Sequence, residues 1–134
     1  MAERSNTEIV RAALDAYNDR DADAFCRCSH AHVRLHPPLG PVEGRAYSGH
    51  DGVRHWMRDV EESSDEARLE ADQLTDIDSR VLMLGRFVIH GRTSEANLAS
   101  DFGLVCEVAD GRITLWRGFL SHVEAIRAAE MLEC

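Results

Sequence analysis

The stretch Val105-Cys106-Glu107-Val108-Ala109-Asp110-Gly111-Arg112-Ile113-Thr114-Leu115-Trp116-Arg117 sets two apolar-rich runs on either side of a single Asp-Gly pair. That pair between two strand-like runs is a strong hairpin signal, because both residues tolerate the positive φ that a two-residue turn requires. Such a turn makes the numbers of paired residues sum to 221. One face then carries Asp101, Gly103, Val105, Trp116, Gly118 and Leu120, and the other Phe102, Leu104, Cys106, Val108, Ile113, Leu115 and Phe119. Both faces hold too much apolar surface for water, so helices are predicted over one and a partner subunit over the other.

Outward from the hairpin, period-two patterning predicts strands near 67–77, 80–92, 96–109 and 112–120, and Ser121-x-x-Glu124 opens a terminal helix. Toward the N-terminus, Ser5-x-x-Glu8 followed by Ile9, Ala13, Leu14 and Tyr17 predicts a helix over 8–19. Asp21 or Asp23 caps a short second helix through Phe25 and Cys28, and Val33–His36 reads as a strand. Pro37, Pro38 and Pro41 with Gly40, Gly44 and Gly49 make a long loop, the natural rim of a site. Asp51 is placed as the cap of a helix whose Val53, Trp56, Met57 and Val60 form one apolar stripe. Helices first and adjacent strands later is an α+β order rather than βαβ.

Length and charge narrow the function. The 134 residues suit one domain spanning 1–134, and 44% hydrophobic residues can build a core with a cavity. A net charge of −9 is the wrong sign for nucleic acid or anionic lipid, and no apolar run approaches the roughly 18 residues of a membrane span. A cytoplasmic protein is expected, with Cys26, Cys28, Cys106 and Cys134 as thiols.

Cys26, Cys28, His30, His32 and His36 have metal-ligand chemistry, but their two-residue steps send successive side chains to opposite faces of a helix, so no metal site is predicted. Gly40, Gly44, Gly49 and Gly52 match no phosphate-binding loop, and no Gly-x-Ser-x-Gly elbow is present. General acid–base chemistry remains. Arg86 and His90 lie on one face of the most apolar strand with Leu82, Leu84 and Val88, where an arginine needs a carboxylate or an open cavity. Asp101, beside Trp116, Val105 and Leu120, would have its pKa raised by desolvation. With Arg86 from the next strand and His36 from the rim, Asp101 is predicted to form an acid, cation and base trio. Tyr17, Trp56, Val88, His90, Val105, Trp116 and Gly118 are the predicted ligand contacts.

The order of elements resembles the nuclear transport factor 2-like superfamily, cone-shaped α+β barrels that include ketosteroid isomerase, SnoaL-like polyketide cyclases and limonene epoxide hydrolase. The strings that carry this are Ala16-Tyr17-Asn18-Asp19-Arg20-Asp21 through Phe25, His36-Pro37-Pro38-Leu39-Gly40, Gly49-His50-Asp51-Gly52-Val53, Val81 to Arg86, and Asp110-Gly111-Arg112-Ile113-Thr114-Leu115-Trp116-Arg117. The resemblance implies a curved, mostly antiparallel sheet wrapped around the N-terminal helices, a pocket beneath the 37–49 loop, and a homodimer. Pairing is expected through the outer sheet face, using Leu104, Cys106, Ile113, Leu115 and Phe119. It also implies a cofactor-free isomerase or cyclase moving a proton on a hydrophobic, carbonyl-bearing ligand of polyketide or steroid type. The alternative is a binding or dimerisation module without chemistry. Gly118 and Val88 replace the epoxide hydrolase acids, which excludes that relay, and Ala13 stands where the isomerases place a tyrosine. The isomerase base carboxylate would fall near His36 or Pro37, and its second acid near Gly103 or Asp101.

Overall fold

The computed structural model describes residues 5–37, 46–63, 66–77, 80–90 and 97–131. Helix α1 (Asn6–Asn18) begins at a reciprocal capping box: Ser5 Oγ accepts from the Glu8 N–H at 3.2 Å, and Glu8 Oε1 accepts from the Ser5 N–H at 2.8 Å. Asp21 caps α2 (Ala22–Arg27) by accepting from the Ala24 N–H. Strand β1 (Ser29–His36) starts four residues earlier than expected, and β2 (Tyr47–Ser48) is a two-residue edge. Helix α3 (Gly49–Ser63) opens at Gly49, whose φ of 71° suits glycine; Asp51 therefore lies inside the first turn, favourably placed against the helix dipole, rather than at the cap. Strands β3 (Glu66–Ile77), β4 (Arg80–His90), β5 (Asn97–Ala109) and β6 (Arg112–Phe119) follow, then α4 (His122–Met131).

The fold is α+β: a curved, mostly antiparallel sheet in the order β2-β1-β6-β5-β4-β3, in which β1 and β6 alone run parallel. It is open, with β2 and β3 at its edges. The turn forms as read, with Asp110 and Gly111 at φ 54° and 78°. The register holds only at its tip. Ala109 pairs with Arg112 and Val108 with Ile113, but Glu107 pairs with Leu115 and Cys106 with Trp116. Thr114 is the extra residue, and its Oγ1 donates to the Glu107 carbonyl at 3.3 Å. Every pair beyond this bulge sums to 222, which brings Trp116 and Gly118 onto the face of Phe102, Leu104 and Cys106.

That face packs on α1, α2 and α3. Phe102, Leu104, Cys106, Ile113 and Trp116 are each no more than 2% exposed there, so Leu104, Cys106 and Ile113 cannot form the outer dimer patch expected of them. Asp101, Gly103 and Val105 face the other way. Helix α4 covers part of this second face, laying Ala125 and Ala129 on Leu82 and Val105. A Cβ on Gly103 would come within 2.3 Å of the Ala125 Cβ, so only glycine allows this approach. The helix is tied down by Arg80, whose Nη1 donates to the Ala129 carbonyl, and by His122 Nε2 at 2.8 Å from the Gly85 carbonyl.

Candidate functional site

The helix-covered face gathers aromatic rings. Tyr17 from α1 stacks on Trp56 from α3 with centroids 5.0 Å apart, and Phe25 from α2 meets both Trp56 and Trp116 edge-on. Trp56 and Trp116 are themselves 5.8 Å apart. Helical spacing puts Tyr17 one turn beyond Ala13 on the same buried side of α1, so a phenol is present close to where the resemblance places one. Burial pushes the Tyr17 phenol up to about 12, against the smaller opposing effect of Arg20, whose guanidinium lies 4.7 Å over its ring. The hydroxyl therefore stays protonated and can only donate or accept a hydrogen bond at neutral pH. Of the predicted ligand contacts, Tyr17, Trp56, Trp116 and Gly118 share this buried face.

Beside it lies a polar constellation that the sequence reading missed. Tyr47 donates its hydroxyl to Asp59 Oδ2 at 2.7 Å, and His55 Nε2 sits 3.6 Å from the same oxygen. The Tyr47 and His55 rings meet edge-on at 5.5 Å. His55 and Asp59 are four apart on α3, a spacing visible in the sequence, but Tyr47 arrives from β2 and joins them only through the fold. Gly52 makes room, since a Cβ there would lie 3.2 Å from Tyr47.

The predicted trio does not converge here. Asp101 and Arg86 are direct partners on β5 and β4, but both are exposed on the face opposite the aromatic rings, because the Thr114 bulge reverses the assignment of faces. Arg86 donates to Glu70 Oε1 at 3.1 Å across the neighbouring strand. His36 also points away from the helices, since Val33 and Leu35 are the fully buried residues of β1. Its imidazole is held below the usual histidine range by burial and by the charges of Arg34 and Arg117. Val105 lies under α4, and Val88 shares the outward side of β4 with Leu82 and Arg86. His90 closes β4, and its side chain lies outside the described residues, as does the 38–45 part of the expected rim loop. Among the described residues a cleft of about 910 Å³ opens between α1, α2 and the hairpin turn, lined by Asn6, Ile9, Ala24, Arg27, Cys28 and Asp110. No helix among them is long and apolar enough to cross a membrane.

Solved structures share this architecture. An NTF2-like protein of unknown function from Burkholderia pseudomallei is 26% identical, with 92% of this chain and 97% of that chain aligned at a TM-score of 0.76. TerC, co-crystallised with polyporic acid, is 20% identical over 93% of this chain and 98% of its own, at a TM-score of 0.77. A protein from Xanthomonas campestris pv. campestris, provisionally described as a polyketide cyclase, is 20% identical over 92% of this chain and 95% of its own, at 0.73. No curated protein matches the chain. The model of the SnoaL-like domain matches residues 10–116, from the first helix to the tryptophan of the hairpin. With most of its length matched, and with helices laid on one face of a mostly antiparallel sheet, the chain belongs to the SnoaL-like domain family.

Proposed function

We propose that this SnoaL-like domain binds a small hydrophobic, carbonyl-bearing molecule on its helix-covered face, around Tyr17, Trp56 and Trp116, without a resident cofactor. The observation that carries the reading is the aromatic cluster. It sets one neutral phenol suited to a carbonyl oxygen among large rings, each no more than 4% exposed. Asp101, Arg86 and His36 lie on the opposite face, which favours binding over proton transfer by those three. The polyporic acid co-crystallised with TerC supports a small organic ligand. Both tryptophans of the chain belong to the cluster, so intrinsic fluorescence reports on it directly. Titration with enolisable ketones and hydroxyanthraquinone esters is expected to quench that fluorescence and raise Tm, by about 2.7 kcal/mol of stability at a hundredfold excess over Kd. Absence of both effects across the panel would sink the reading.

One observation favours a catalytic reading beside it. Asp59, with a side chain only 17% exposed, accepts from Tyr47 and stands next to His55, which is the composition of an acid–base relay. If isomerase or cyclase turnover is found, Asp59→Asn should lower it by about 10² to 10⁴-fold. Unchanged turnover in that variant would assign the constellation to fastening β2 onto α3. We further propose pairing of two copies through the outer side, where α4 leaves Leu120, Val123 and Ile126 exposed.

A further inference from the structure

The outer face carries a second feature, at its β1–β6 margin. Parallel pairing sets Arg34 beside Leu115 and His36 beside Arg117. The register shift between Ser29 and Arg34 brings His30 and His32 alongside them. Together they wall a groove of about 630 Å³ whose floor is Thr114 and Leu115 and whose far wall is Glu107.

The charge of this groove runs against that of the chain. Asp and Glu outnumber Lys and Arg by 24 to 15 overall, whereas here two guanidiniums and three imidazoles face a single carboxylate. Elsewhere arginines sit on acids: Arg54 on Asp23 at 2.9 Å and Arg86 on Glu70 at 3.1 Å. Among the described residues Arg34 and Arg117 have no such partner, and the Arg117 guanidinium instead lies 5.4 Å over the Phe119 ring. The His36 imidazole is held below its usual range first by burial and then by the charges of Arg34 and Arg117. Guanidinium forks and imidazolium N–H groups are the donors that recognise multiply charged oxyanions.

We propose that this groove is a binding site for a small, multiply charged oxyanion, bearing carboxylate or phosphate groups, gripped by Arg34 and Arg117 and strengthened when His36 is protonated. The titratable and charged groups that face it are His30, His32, Arg34 and His36 from β1, Arg117 from β6, and Glu107 from β5, with Arg80 of β4 paired beside Glu107. An anion favours the charged imidazole, so binding raises the His36 pKa and affinity climbs as pH falls through the histidine range.

Calorimetric titration of the full chain with sodium sulfate, whose charge is constant from pH 5.5 to 8, tests this at fixed ionic strength. Expected are one saturable site per chain, affinity about tenfold higher at pH 5.5 than at pH 8, and a rise in the His36 ring pKa by NMR. Citrate and inorganic phosphate, compared at pH 8, then rank carboxylate against phosphate. Arg34→Gln and Arg117→Gln, both exposed positions, should each weaken sulfate binding about tenfold while Arg58→Gln on α3 leaves it unchanged. Equal binding by all three variants, or no saturation, overturns the proposal. So does self-association of the native chain that the two groove variants abolish without any sulfate binding, which would make the occupant an acidic surface of a second copy.

Discussion

Tyr17 illustrates how one side chain acquires a property from its surroundings. Its ring is 2% exposed, and removal of the phenolic proton there would leave a charge without water. The sign follows from linkage. The folded-state value of about 12 lies above the usual 10, so the neutral form's contribution is complete below pH 10 and is lost as pH rises toward 12. Alkaline unfolding should therefore steepen above pH 10, by an amount on the order of 2 to 3 kcal/mol at pH 12. Tyr17→Phe should flatten that limb, as read by urea denaturation at pH 9, 10 and 11. An identical pH profile in the variant would show that this hydroxyl is not the group responsible.

At the scale of elements, the bulge at Thr114 decides which side chains meet the helices. Deleting Thr114 removes the bulge yet leaves Leu115 opposite Glu107 and Trp116 opposite Cys106, so Trp116 keeps its place in the aromatic cluster. The loss is the Thr114 Oγ1 bond to the Glu107 carbonyl, about 1 kcal/mol. The deletion should keep a native-like near-ultraviolet dichroism spectrum and a cooperative transition; loss of either would show that the bulge itself, and not only the pairing beyond it, organises the face. The same residue explains what could be read in advance. The capping box at Ser5, the Asp21 cap, the Asp110-Gly111 turn and the strand runs are local signals, and each lies where the sequence puts it to within a few residues. Face assignment is not local. Period-two counting carries any single inserted residue to the end of the strand, and a threonine whose hydroxyl reaches across to Glu107 looks like any other strand threonine. For that reason Asp101 and Arg86 lie on the side opposite Trp116, while Tyr17 and Trp56, whose faces follow from the helical period, stack in the interior.

For the whole molecule, the two sides of the sheet have divided the work. One side is buried and aromatic; the other has α4 over its middle, with cations that lack a carboxylate partner among the described residues toward β1 and the Glu70–Arg86 pair toward β3. Exposed Val123, at 60%, and Leu120, at 41%, border that middle. Light scattering at micromolar concentration should give the mass of two chains, and Val123→Glu should give one, because a buried like-charged pair at an isologous contact costs several kcal/mol. A single-chain mass for the native protein would end the pairing proposal and leave the interior site unaffected.

The parallel pairing of β1 with β6 joins Leu35 to Trp116 across most of the chain, while β3, β4 and β5 are joined by neighbours in sequence. Loop closure of that span is costly, so the meander can form early and the β1 seam must close late. Since β6 stands between β1 and β5, a ribosome that has not yet delivered residues 112–119 holds two sheet fragments with nothing between them. Each presents an open edge, and the meander's edge is the flank of β5 next to Cys106. The interval before residues 112–119 are delivered is therefore the one in which this protein is most exposed to mispairing with its neighbours.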